Sequence, residues 1–163
     1  MSQNYQNWKI ETDATGVTWL HLDTADSSTN VLSTAILNEL SEILDDLEKN
    51  LPRAVVILSD KENGFIAGAD VKQFTSFENE EAALQAIRRG HTIFNRLERL
   101  SCPTIALIHG FCLGGGMELA LACRYRIADS DPKTKLGLPE VRLGIHPGFG
   151  GSFRPALRKR LGW

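Results

Sequence analysis

The chain has 163 residues, one domain's worth and long enough to bury a core. Its 42% apolar and 23% charged content is that of an ordinary globular protein, and a net charge of −2 leaves no electrostatic case for nucleic acid or an anionic membrane. No apolar run is long enough to span a membrane, and Met1–Ile10 holds no apolar stretch of the secretion-signal type.

In chain order, Lys9 to Leu22 holds two β-like segments around Thr15-Gly16, suited to a hairpin. Asp23 to Asn30 is a polar loop. Ser33 then caps a helix whose apolar residues Ile36, Leu37, Leu40, Ile43, Leu44, Leu47 and Leu51 follow the 3.6-residue period, ended by Asn50 and Pro52. Ala54 to Leu58 is a continuous apolar segment, as expected of a strand covered on both faces. Phe65 to Val71 is small and glycine-containing, with Asp70 placed to cap a short helix through Phe74. By itself it is an ordinary loop.

Glu80 to Leu100 is a second long helix with Leu84, Ile87, His91, Phe94, Leu97 and Leu100 along one stripe. On that stripe His91 is expected to be packed rather than a ligand. Gly90 sits inside the helix at a cost of about 1 kcal/mol against alanine, which close packing or a kink would explain. Cys102-Pro103 breaks the helix. Tyr125 to Ala128 is another strand, Leu136 to Val141 a short extended piece carrying Glu140, and Leu143 to Gly151 a glycine- and proline-rich loop. Arg154, Arg158, Lys159 and Arg160 form a basic cluster expected on a solvated helix face. Alternating strands and helices give an α/β class. No sequence repeat or linker divides the chain.

The run Thr104 to Ala122 carries the chemistry. It has a buried strand, a loop with Gly114, Gly115 and Gly116, and a helix start bearing Glu118. The free N–H groups and dipole of a first helical turn favour an anion, and glycine lets a ligand approach the backbone. A phosphate and an oxyanion formed during a reaction are the two candidates. Counting G-x-G from Gly114 and Gly116 puts the third glycine of a dinucleotide fingerprint on Leu119, and no G-x-x-x-x-G-K-[ST] occurs. Glu118 would also repel a bound phosphate. The oxyanion reading leads.

Cys102, Cys112 and Cys123 lack C-x-x-C spacing, and His21, His91, His109 and His146 form no H-x-x-x-H pair. Reduced thiols are therefore expected, and no metal. A cytoplasmic location of bacterial type is the expectation, with the mitochondrion as the alternative.

Three motifs occur in order: Ala67-Gly68-Ala69-Asp70, His109-Gly110-x-x-Leu113-Gly114-Gly115-Gly116-x-Glu118, and Leu138-Pro139-Glu140-Val141-x-Leu143-Gly144-x-x-Pro147-Gly148-x-Gly150-Gly151. With them the chain resembles the crotonase (enoyl-CoA hydratase/isomerase) superfamily. Through Asp131 to Glu140 it resembles the hydratase part of fatty-acid oxidation complex α-subunits. The resemblance implies a spiral of ββα repeats making two nearly perpendicular sheets flanked by helices. It also implies binding of acyl-CoA thioesters and a two-donor oxyanion hole, here the backbone N–H groups of Ala69 and Gly115. Losing one such donor typically costs about 100- to 1000-fold in rate.

By the same resemblance Glu118 acts as base on the water that adds to Cβ, and Glu140 delivers a proton to Cα. Syn addition of water needs one proton removed and one supplied on the same face, so two carboxyls are a minimal solution. Surface glutamates in ion pairs are the alternative. Contacts to substrate are expected from Ala67, Gly68, Asp70, Val71, Lys72, Gly114, Gly116, Pro139 and Gly148, with Lys72 near the CoA diphosphate. No metal or redox cofactor is implied. CoA arrives with the substrate, and an NAD site would belong to a dehydrogenase part absent from these residues.

The resemblance further implies that residues 1–163 are a partial domain without its C-terminal helices. An exposed apolar patch, poor acyl-CoA binding and self-association are then expected. The expected partners are an acyl-CoA thioester, further copies of the chain and, in a longer protein, a thiolase subunit. Three functions stay open: hydration of a 2-enoyl-CoA, with or without isomerase activity; another crotonase reaction such as thioester hydrolysis or decarboxylation; and a non-catalytic fragment that binds or oligomerises.

Overall fold

The computed structural model describes residues 5–70, 73 and 77–156. Its strands are β1 (Trp8–Thr12), β2 (Val17–Leu22), β3 (Ala54–Ser59), β4 (Gly64–Ile66), β5 (Thr104–Ile108), β6 (Phe111–Leu113), β7 (Tyr125–Ala128) and β8 (Lys135–Gly137). The helices are α1 (Thr34–Lys49), α2 (Glu80–Arg99) and α3 (Gly115–Ala122), and a 3₁₀ helix covers Pro139–Leu143. Two strands followed by a helix therefore recur along the chain. β1 and β2 pair antiparallel, and all other strand pairs are parallel. One sheet has the order β1-β2-β3-β5-β7 and the other β4-β6-β8. From β3 onward, the first strand of each pair enters the large sheet and the second enters the small one. This is the two-sheet α/β architecture that the resemblance implies, and the sequence itself shows no trace of the repeat.

Local chemistry explains the elements. Asp13 accepts hydrogen bonds from Thr15 N, Val17 N and the Trp19 indole, which fixes the β1–β2 turn. Along β2, Thr18, Leu20 and Leu22 alternate into the core, whereas on β3 the consecutive Val55, Val56 and Ile57 are all buried. Ser33 accepts from Ile36 N at the start of α1, and Ile36, Leu37, Leu40, Ile43, Leu44 and Leu47 are buried. Leu51 departs from the expected stripe. The helix ends at Lys49, so Leu51 lies beyond the Asn50 cap and is exposed.

Asn79 caps α2 by accepting from Ala82 N. The buried face is Gly90, Ile93, Phe94 and Leu97, while Leu84 and Ile87 remain exposed. The N-terminal half of that stripe does not enter the core, and Ile87 instead lines a cavity. Gly90 is explained by close packing. A Cβ there would overlap the Phe149 ring, which also meets Phe94 edge-on.

Two further readings change. Phe111–Leu113 is a strand rather than loop, pairing in parallel with β4 and β8. Glu140 stands on the 3₁₀ helix and not on an extended piece, because Gly137 ends β8 and Pro139 opens the turn.

Asn30 ends the polar loop fully buried. Its Nδ2 donates to Leu22 O, Ser59 Oγ and Phe65 O, and its Oδ1 accepts from Thr24 N and Oγ1. One amide thus ties together the ends of β2, β3 and β4. Asn30→Ala strands several buried partners, and a loss of about 2–4 kcal/mol is expected in urea unfolding. A change below about 0.5 kcal/mol would show that water replaces the amide at little cost.

Candidate active site

The site forms where the small sheet delivers two loops to one place. β4 runs into Ala67-Gly68-Ala69, which is held against the segment before α1. Leu32 N donates to Gly68 O at 2.8 Å, and Asp70 N donates to Leu32 O at 3.2 Å. These bonds flank Ala69, and among the described residues its own N–H has no protein acceptor. β6 runs into Gly114, whose N–H donates to Gly137 O, extending the pairing with β8. The first bond of α3 comes from Glu118 N to Gly114 O at 3.0 Å, leaving Gly115 N–H among the unpaired groups of the first turn.

The glycines let these loops touch. Gly114 has φ +52°, in the left-handed region, and a Cβ there would stand 3.3 Å from Glu140 Oε1 and 3.5 Å from Gly68 Cα. A Cβ on Gly115 would lie 3.2 Å from the Ala69 nitrogen. The two candidate donors are therefore neighbours across the β4 and β6 loops. Gly116 has a packing role. It faces away from the cavity, and a Cβ on it would lie 2.5 Å from Ile66 O. It seats α3 on β4.

Both carboxylates are buried, with Glu118 only 2% and Glu140 8% exposed, and neither forms an ion pair among the described residues. Glu118 Oε1 accepts from Phe149 N at 2.7 Å and Gly151 N at 2.8 Å. Burial holds its pKa above the usual carboxylate range. The two N–H donors work against that rise, Glu140 adds to it, and Arg154 opposes it. Glu140 Oε2 is buried without a hydrogen-bond partner among the described residues. A buried carboxylate oxygen left unpaired is costly.

These groups line one cavity of about 710 Å³, within the range of small-molecule sites. Ala67, Gly68, Ala69, Gly114, Gly115, Glu118, Pro139, Glu140 and Gly148 all reach it. Asp70 lines a smaller adjoining pocket of about 60 Å³ instead. Val71, Lys72 and most of the short helix expected after Asp70 lie outside the described residues, as do Arg158, Lys159 and Arg160.

Sequence reasoning missed the apolar wall of Phe77, Ala83, Ile87, Leu143 and Ile145. The one available signal was the unequal burial demand along the α2 stripe. It also misplaced Arg154, which is 1% exposed rather than solvated. His91 is partly buried, stacked on Phe153, and its pKa is lowered by burial and then by Arg154. Cys102, Cys112 and Cys123 are buried and form no disulfide among the described residues, and burial pushes the Cys112 thiol up to about 12. Among the described residues no cluster of three or more His, Cys, Asp or Glu could hold a metal ion, and no helix is long and apolar enough to cross a membrane.

Serial ββα units, a pair of adjacent unbonded N–H groups and two buried carboxylates on one cavity define a class: α/β proteins with a cleft suited to charge developing on an oxygen. The family model described as Enoyl-CoA hydratase/isomerase matches residues 13–163, and the chain belongs to that family. It is similar to the fatty acid oxidation complex subunit alpha of Aliivibrio fischeri, with 44% identity over 140 residues covering 85% of this chain and 20% of that protein. The subunit of the same name from Shewanella oneidensis is 42% identical over the same shares.

Among solved structures, the enoyl-CoA hydratase of Bacillus anthracis superposes with a TM-score of 0.83 at 37% identity, covering 94% of this chain and 58% of that one. The enoyl-CoA hydratase of Thermoplasma volcanium gives 0.82 at 31%, covering 94% and 59%. The chain thus spans about a fifth of the length of the curated relatives it matches, and less than two thirds of these hydratases.

Proposed function

We propose that this chain carries the hydratase site for addition of water to a 2-trans-enoyl-CoA, giving a 3-hydroxyacyl-CoA in fatty-acid β-oxidation. The observation that carries the reading is the placing of Ala69, Gly115, Glu118 and Glu140 on one cavity. Ala69 N–H and Gly115 N–H polarise the thioester carbonyl and hold the enolate oxygen as charge develops there. Glu118 removes a proton from the water that bonds to Cβ. Glu140, whose Oε2 has no partner among the described residues, supplies the proton that Cα takes up from the enolate. The apolar wall receives the acyl chain. CoA enters and leaves as part of the substrate, so the steps need no separate cofactor from these residues.

The names of the relatives support a place in a multi-subunit complex, and we propose a thiolase subunit and further copies of the chain as the partners there. We place the chain in the cytoplasm, where cysteines outside disulfides are the rule.

The test is to mix the protein with crotonyl-CoA and follow loss of the conjugated-thioester absorbance together with a mass gain of one water. Glu140→Gln is expected to slow hydration by about 100- to 10,000-fold with the fold unchanged. Release of free CoA without hydrated product would instead establish thioester hydrolysis.

A further inference from the structure

Arg154 stands outside the steps above, yet it is the largest fully buried side chain among the described residues. A buried guanidinium needs several acceptors, and this one has them from two directions. Its Nε donates to Glu98 Oε2 at 3.0 Å and its Nη2 to Asn95 Oδ1 at 2.7 Å, both on α2. Its Nη1 donates to the carbonyl of Phe149. Phe149 is also the residue whose N–H donates to Glu118 Oε1, and Gly151 supplies the second such N–H. A Cβ on Gly150, between them, would overlap the guanidinium, so the loop is shaped around it.

We propose that Arg154 is a positioning residue for Glu118: it fastens the Phe149–Gly151 loop to α2, and the loop's two N–H groups then hold the carboxylate in place. This rests on the reading of Glu118 as the base. Both N–H donors fall on one oxygen, and a carboxylate that takes a proton from water must keep a fixed direction toward the cavity. An arginine suits the post better than a lysine, because a rigid fork can serve three separated acceptors at once.

The charged surroundings make the consequence testable. Glu98 and His91 on α2 and Glu118 on α3 face Arg154. Glu118 faces Arg154 and also Glu140 on the 3₁₀ helix, and His146 lines the same cavity. Removing the cation takes away an opposing charge and slackens the two N–H donors. Both changes favour the protonated form of Glu118, so its titration moves to higher pH.

The experiment follows the Glu118 carboxyl by carbon-13 NMR across pH in the wild type, Arg154→Met, Arg154→Lys and Asn95→Ala, alongside the pH dependence of crotonyl-CoA hydration. The midpoint is expected to rise in Arg154→Met, with a smaller rise in Arg154→Lys and in the charge-neutral Asn95→Ala. The ascending limb of kcat/KM should move with it, and kcat should fall about 100-fold in Arg154→Met with KM little changed. An unmoved or lowered midpoint in Arg154→Met, with only thermal stability lost, overturns the proposal. If that variant does not fold, an unmoved midpoint in Asn95→Ala overturns it equally. A wild type that titrates as described but hydrates nothing would sink the hydratase reading, while the NMR midpoints would still decide whether Arg154 positions Glu118.

Discussion

Glu118→Gln is expected to slow hydration by about 100- to 10,000-fold and at the same time to make the protein more stable at neutral pH. The first effect follows from removing the only proposed acceptor for the proton of the attacking water. Gln keeps the shape and can still accept from Phe149 N and Gly151 N, so the fold has no reason to change. The second effect follows from the sign of the linkage. Burial raises the folded-state pKa of Glu118 above its ordinary value of 4.5, so between the two values the folded state binds more protons than the unfolded chain. Stability from this group is complete below the unfolded value and is lost as pH climbs through the folded one. Gln does not titrate and escapes that loss. Urea unfolding at a series of pH values checks this. A wild type that gains on Glu118→Gln as pH rises would contradict it, and would mean that the two N–H donors outweigh burial.

Gly116→Ala should damage the site without touching a single cavity residue. The added methyl would sit 2.5 Å from Ile66 O and 2.6 Å from Ile66 Cβ, and the obstacle includes backbone on a buried strand. Relief requires α3 to lift from β4, because neither neighbour is the free end of a long side chain. Overpacking of this kind costs about 1–3 kcal/mol. The functional cost is larger. α3 carries Gly115 and Glu118 while β4 leads to Ala69, so lifting one from the other parts the two donors. A displacement near 1 Å at reacting groups costs about 100-fold in rate. Gly148→Ala is the control, since nothing among the described residues lies within 4 Å of a Cβ there. It should keep wild-type stability. Equal stability of Gly116→Ala and Gly148→Ala would show that the helix–strand contact yields more easily than its geometry implies.

Part of the cavity lining was legible before the structure. The glycine triplet and the carboxylate in a first helical turn are adjacent in the chain and mark an anion site locally. Ala67-Gly68-Ala69, in contrast, reads as an ordinary loop and enters, with Glu140, only through the family resemblance. Arg154 left no such mark. In sequence it sits in a basic cluster and resembles a solvated helix face, and its burial depends on Asn95 and Glu98 from an element more than fifty residues earlier. The packing of Gly116 left no mark for the same reason, as its neighbour Ile66 comes from the previous ββα unit. The short strands β4 and β6 escaped notice because three residues carry too little pattern to separate strand from loop.

By itself, the sequence determined the α/β class and the two long amphipathic helices with the Ser33 cap of the first, and its short motifs singled out two carboxylates and two loops that line one cavity. These rest on periodicity and on short motifs, which are properties of neighbours along the chain. Only the tertiary structure decided that Ala69 and Gly115 face each other, that Glu118 and Glu140 line one cavity, and that Arg154 is buried behind Glu118. Each of those facts joins residues from different ββα units, and parallel pairing of strands far apart in the chain is what brings them within reach.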